Sequence, residues 1–234
     1  LNGTGRDPST FPDDEKAVGW KDIESTAEMV RVKGRRALPV VADVTDAQQV
    51  DMMVEKALGE FGRVDILINN AAMPIGNDRV PVVDLDPDLF QRVVDVKMRG
   101  TFLCSRAVAR VLIRQGEGGK IVNVASDAGK TGAANAIAYN AANFAQVGMT
   151  QSLAKELGKY RVNVNCVCPA AVDTYRMDRY GRGKEWQEIG ANHPIGRVGT
   201  PEEVGRFIAL LCTEATSWIT GQSINIDGGV IMEH

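Results

Sequence analysis

The chain is predicted to be α/β, a doubly wound parallel sheet, on three observations. Five short β-branched runs are bounded by turn residues, as strands buried on both faces should be. Long amphipathic stretches of helical period separate most of them, long enough for the crossovers that parallel strands require. No internal repeat or low-complexity stretch interrupts this βαβα order, which places ligands at the carboxyl ends of the strands.

The strand candidates are RALPVVAD (36 to 43), RVDILINN (63 to 70), KIVNVAS (120 to 126), RVNVNCVCP (161 to 169) and QSINID (222 to 227). Helical periods fill DAQQVDMMVEKALGEF (46 to 61), the long stretch from Leu85 to Gly116, and the stretch from Ala138 to Tyr160. The last begins at Thr200, whose hydroxyl suits an N-cap, with Pro201 at the first helical position. Residues 173 to 199 show no clear period; they are rich in Gly and Arg, carry Trp186, and read as a lid over a pocket or a partly helical surface excursion.

A length of 234 residues with 44% hydrophobic and 24% charged residues suits one domain over 1 to 234. A net charge of −3, with basic residues scattered, gives no electrostatic case for nucleic acid or an anionic membrane. The expected partner is a small molecule or another copy of the chain. No apolar run approaches the ~20 residues that cross a bilayer, and the expected setting is cytoplasmic. Cys166 and Cys168, at i and i+2 of a strand, share a face without the geometry a disulfide prefers; with Cys104 and Cys212 they read as buried thiols. The two histidines, His193 and His234, have no Cys, Asp or Glu at ligand spacing, so no metal site is expected.

Six segments together carry a family resemblance: ADVTD (42 to 46), ILINNAA (66 to 72), GKIVNVAS (119 to 126), Tyr139, VNVNCVCPAAVDT (162 to 174) and GQSINIDGG (221 to 229). Their order and spacing resemble the short-chain dehydrogenases/reductases from about residue 20 onward. The resemblance implies a Rossmann-like domain, assembled as a homodimer or homotetramer on two long central helices. It also implies hydride transfer between a nicotinamide cofactor, NADP or NAD, and a hydroxyl or carbonyl carbon. By the same resemblance Tyr139 is the acid/base and Ser126, thirteen residues earlier, holds the substrate oxygen. A phenol becomes useful near neutrality only where positive charge stabilises its anion. Cofactor contacts are implied at Asp43, Val44, Asn70, Ala71, Ala72, Pro169, Ala170, Val172 and Thr174.

The chain departs from the family pattern at several of these places. The family lysine, four residues after the tyrosine, is Asn143, and the family asparagine at the start of the central helix is Lys97. The two residue types stand exchanged. If both side chains point into the pocket, Lys97 brings an ammonium beside Tyr139; if Lys97 points to solvent, Asn143 marks lost dehydrogenase chemistry. Ala72 and Ala170 replace glycines and put methyl groups where a dinucleotide would approach the backbone.

The family's opening strand, glycine-rich turn and helix, which receive the cofactor pyrophosphate, have no counterpart here. The GTG of residues 3 to 5 follows no apolar strand and precedes no apolar helix, so it does not read as a phosphate loop. It fits the loop after the family's second strand, where Arg6 would suit a 2′-phosphate and hence NADP. The expectation is a longer natural protein with about 35 to 40 residues ahead of Leu1, or else a shorter one whose open sheet edges are covered by a partner chain or a rearranged sheet.

Three functions follow: an oxidoreductase of a small alcohol or carbonyl; a cofactor-independent isomerase, lyase or dehydratase in which Tyr139 and Lys97 move protons; or a silent subunit. Specificity in this family lies in residues 173 to 199 and in the loop after Ala72, MPIGNDRVPVV (73 to 83). Neither segment names a substrate.

Overall fold

The computed structural model describes residues 23–174, 177, 181 and 183–233. The reading of residues 3 to 5 and of Arg6 lies outside these, as does part of the lid segment.

Two helices, α1 (Ile23–Val32) and α2 (Ala47–Phe61), precede the first strand, β1 (Ile66–Asn69). Asp46 caps α2 by accepting from the Gln48 and Gln49 amides, and Gly62 ends it at φ 79°, donating its N–H to Leu58 O. After β1 come α3 (Pro87–Val94), a π-helical turn at Asp95–Arg99, and α4 (Gly100–Gln115). Then follow β2 (Gly119–Val124), α5 (Ile137–Leu157) and β3 (Val162–Pro169). Last come α6 (Lys184–Ala191), α7 (Pro201–Leu211) and β4 (Ser223–Ile226). Thr200 and Glu203 form a reciprocal capping box at the start of α7, with Pro201 at the first helical position.

Among the described residues four strands pair in the order β1-β2-β3-β4, all parallel. Ile68 stands beside Val122, Val122 beside Asn165, and Cys166 beside Ser223. Every connection within the sheet is helical, as parallel pairing demands. One face buries Val50, Val54, Leu103, Val108, Leu112, Ile121, Val162 and Val164 between sheet and α2, α4 and α5. The other buries Val122, Val124 and Val167 under Leu211 of α7.

One expectation about secondary structure is corrected. Residues 36 to 43 form no strand. Their composition is right for one, but a strand exists only through the hydrogen bonds of a neighbour, and among the described residues nothing pairs between them and β1. The exposure follows the same line: Val41 is 55% exposed, and on β1 Ile66 is 45% and Ile68 38% exposed. The long helical period from Leu85 to Gly116 is helical from Pro87 to Gln115, with the π turn at Asp95–Arg99 joining α3 to α4. That wider turn carries Lys97, buried together with Val96. Gly100, next along, lets the loop before α2 approach closely: a Cβ there would stand 2.7 Å from Val44 Cγ2.

Candidate active site

Below the carboxyl ends of the strands lies a buried polar network. Asn69 Nδ2 donates to Ser105 Oγ at 3.0 Å and to Asn123 Oδ1 at 2.8 Å; Asn123 Nδ2 donates to Thr150 Oγ1 at 2.8 Å. Gln146 Nε2 donates to Thr101 Oγ1 at 2.8 Å. The network ties β1 and β2 to α4 and α5, and hydrogen bonds between buried side chains fix their arrangement. None of these residues was singled out from sequence; the available signal was an asparagine in the middle of the apolar run KIVNVAS.

Ser126 follows β2 and caps a short 3₁₀ turn at Asp127–Gly129. Its Oγ accepts from the Ala128 amide at 3.2 Å and donates to Asp127 Oδ1 at 2.6 Å. Tyr139 lies in the first turn of α5, half-buried, with the Arg79 guanidinium carbon 4.1 Å from its ring centroid. Arg79 Nη1 is held in turn by Asp78 Oδ2 at 2.6 Å, and Asp78 Oδ1 accepts from the Gly76 amide at 3.1 Å. Lys97 is 5% exposed and donates through Nζ to the Val124 carbonyl, two residues before Ser126. It points inward and not to solvent.

A cavity of about 800 Å³ opens at the carboxyl ends of β1, β2 and β3. Ser126, Tyr139 and Lys97 line it, and so do Asn70, Ala71, Ala72, Pro169, Ala170, Val172 and Thr174. Ten of the thirteen residues expected in the site thus face one space. Arg79, Ile75, Asp127, Glu185 and Ile189 also border it; Ile75 and Arg79 fall in the loop after Ala72, and Glu185 and Ile189 in residues 173 to 199, the two segments expected to set specificity, though none was singled out individually.

Three expected residues do not border it. Asn143 is fully buried; its Nδ2 turns back to the Tyr139 carbonyl at 2.8 Å, and its Oδ1 has no hydrogen-bond partner among the described residues. Asp43 accepts from Thr45 N at 2.9 Å and Thr45 Oγ1 at 2.8 Å, bonds that hold its carboxyl below the usual value. Val44 packs on Gly100. Asp43 and Val44 sit in the loop before α2, away from the cavity wall.

No cysteine borders this cavity, and Cys104, Cys166 and Cys168 are buried in the core, where hydrogen bonding from Cys168 holds Cys166 below the ordinary thiol range. Burial pushes Cys104 up to about 11, and Cys168, hydrogen-bonded to Cys166 and buried, is held above the ordinary thiol range. All four cysteines are free.

The family model described as enoyl-(acyl carrier protein) reductase matches residues 17–231. The chain belongs to the short-chain dehydrogenase/reductase family. This short-chain dehydrogenase/reductase is 34% identical over 223 residues to sorbitol dehydrogenase of Cereibacter sphaeroides, covering 91% of this chain and 86% of that one. The crystal structure of acetoin dehydrogenase from Salmonella typhimurium superposes with a TM-score of 0.78 at 34% identity, covering 88% of this chain and 80% of that one. A structure of ElxO with NADP bound superposes at 0.74 with 28% identity, over 80% of this chain and 75% of that one. The sheet with helices on both faces is therefore the family's α/β, Rossmann-like architecture, and the relatives are oxidoreductases.

The cavity has room for a nicotinamide ring, while the residue four positions after Tyr139, Asn143, does not reach it. The cavity lies at the strand ends, and its walls include the backbone of Asn70–Ala72 and Pro169–Ala170. For the pyrophosphate the described residues supply no glycine-rich turn opening a helix.

Proposed function

We propose that the chain is an NAD(P)-dependent oxidoreductase of a small alcohol or carbonyl compound, with its chemistry in the cavity between β1, β2, β3 and α5. The observation that supports this most is that Ser126, Tyr139 and Lys97 share the wall of one cavity with Asn70–Ala72, Pro169–Ala170, Val172 and Thr174. The relatives named for sorbitol and acetoin support a small polyol or hydroxyketone scale of substrate.

Residues of this chain supply binding, orientation and proton movement. Ser126 Oγ, fixed by Asp127 and the Ala128 amide, accepts or donates a hydrogen bond at the reacting oxygen of the substrate. The Tyr139 hydroxyl gives a proton to that oxygen in reduction and takes it in oxidation. Lys97 contributes positive charge from the β2 side of the cavity, held there by the Val124 carbonyl, and opposes negative charge developing on the phenol or the substrate oxygen in that cavity. Ile75 and Ile189 on the wall help to exclude water. A bound nicotinamide supplies or accepts the hydride. Asn70, Ala71, Ala72, Pro169, Ala170, Val172 and Thr174 would line its site, while Asp43 and Val44 would act further along the cofactor.

One observation favours a second activity class. Asn143 faces the Tyr139 carbonyl and does not border the cavity, so the position from which the family grips the nicotinamide ribose holds no cation. A cofactor-independent proton-transfer enzyme would tolerate this. Calorimetry separates the two: the oxidoreductase requires NAD(H) or NADP(H) to bind at millimolar cofactor, and absence of both heats overturns it.

We also propose a cytoplasmic homodimer or homotetramer assembled on α4 and α5. Phe102, Ile113 and Phe144 stand exposed on these helices, beside a groove of about 360 Å³ that Phe102 and Ile113 line with Met149 and Leu153. Sedimentation should show a dimer or larger, and Phe102→Glu should shift it toward monomer. Among the described residues no helix is long and apolar enough to cross a membrane.

A further inference from the structure

Arg79 has no part in the chemistry set out above, yet it is the best-organised charged group on the cavity wall. Its side chain is 19% exposed, and the carboxylate that orients it, Asp78, is 5% exposed and itself fixed by the Gly76 amide. The guanidinium lies over the Tyr139 ring at 4.1 Å, so ring and cation hold each other in place. An arginine left to solvate freely would not be drawn into a cavity in this way, because ordering its long side chain costs rotamer entropy.

The remaining charges on the wall are arranged differently. Lys97 is turned toward the Val124 carbonyl. Asp127 is engaged by Ser126 Oγ and the Ala128 amide, and Glu185 stands in the first turn of α6. A substrate whose reacting oxygen meets Tyr139 and Ser126 therefore has, among the described residues, a planar multi-donor cation beside the phenol ring on the same cavity wall. A guanidinium in that position matches a carboxylate better than a hydroxyl, since its fork gives parallel charge-assisted hydrogen bonds.

We infer that Arg79 is the specificity-determining residue of the site and that the substrate is a small hydroxy or oxo acid, its carboxylate bound by Arg79 while its alcohol or carbonyl carbon lies at Tyr139 and Ser126. This rests on the proposed active site being the cavity described. Asp78 positions the guanidinium and limits its net charge, so that a small neutral alcohol still enters but is held less tightly. Ile75, Met177 and Ile189 line the same space and leave room for a short apolar substituent.

The test uses two isosteric probes, 3-hydroxybutanoate and 3-hydroxybutanamide, titrated into the full chain with the methyl signals of Ile75 and Ile189 followed by NMR, without and with NAD⁺ or NADP⁺. The carboxylate is expected to bind about tenfold more tightly than the amide, as a charge-assisted pair would give. Arg79→Met should bring the ratio of the two affinities to about one, whatever its effect on both, and Arg79→Lys should keep part of the preference. Equal affinity of the two probes for the unaltered chain, or a preference that survives in Arg79→Met, overturns the inference and leaves the proposed cavity standing. If neither probe moves either methyl, the inference and the proposed active site fall together. The comparison in the unaltered chain needs no variant to fold.

Discussion

Asn143, one helical turn after Tyr139, directs its Nδ2 to the Tyr139 carbonyl at 2.8 Å, while Lys97 reaches the cavity from the π turn on the opposite side. The cation that the family places on the tyrosine's own helix stands here on another element. Position 143 is fully buried, and its Oδ1 finds no partner among the described residues. An ammonium added there without removing Lys97 would bring a second positive charge into the interior.

The exchange therefore predicts coupling between the two positions. Asn143→Lys alone should destabilise by about 3–5 kcal/mol, the scale of an uncompensated buried charge. Adding Lys97→Asn should recover most of that loss, a non-additive cycle expected of residues that share one site. Urea unfolding of the two single variants and the double variant measures it, and simple additivity would show that the positions are independent.

Asn123 links Asn69 to Thr150 beneath the site. Replacing it by Ala leaves two buried polar groups without this partner, and each such group costs about 1–3 kcal/mol. The expected result is a lower urea midpoint with an unchanged slope. A variant as stable as the original would mean that water takes over both bonds.

Much of the sheet was legible because β2 and β3 are buried on both faces, and apolar runs such as KIVNVAS and RVNVNCVCP have few other uses. RALPVVAD misled for a physical reason: strand formation depends on a pairing partner, which composition does not report. The site was legible where several residues recur at fixed spacing, as with Ser126 and Tyr139. Lys97 was visible as a departure, but the π turn that buries it was not, since its hydrogen-bond pattern leaves no mark in the period of DVKMRG. Arg79 lies in the loop after Ala72 that was expected to bear on specificity, but as one basic residue of an irregular segment it did not stand out; the closeness of its guanidinium to the Tyr139 ring brings it forward.

Acid should loosen the start of α7 first. Arg197, with the Thr200 amide, holds the Glu203 carboxyl down to about 2, against 4.5 ordinarily. Because the folded value is the lower one, the contribution is complete above about 4.5 and is lost as the pH falls from there toward 2. The group is exposed, so the effect is small and weakened by salt. Glu203→Gln should flatten the stability profile in that window and leave it unchanged at neutral pH apart from a constant offset. An unaltered slope would show that the bonds are not formed in solution.

The β1 side of the sheet predicts association. Ile66 and Ile68 expose apolar surface beside a strand with no neighbour on one side among the described residues. The 234-residue chain should scatter light increasingly with concentration, and Ile68→Lys should suppress this without lowering the melting temperature by more than a degree or two. Scattering that is unchanged by the lysine would place the sticky surface elsewhere.

The central claim is that the Tyr139 hydroxyl moves the proton in an NAD(P)-dependent oxidation or reduction. The most direct measurement is the rate of nicotinamide oxidation or reduction with a small hydroxy acid or polyol, comparing the chain with Tyr139→Phe after both are shown to bind the cofactor equally. Turnover by the original and a loss of about 10²–10⁴-fold in the variant is the expected result. Turnover that persists undiminished in Tyr139→Phe would contradict it.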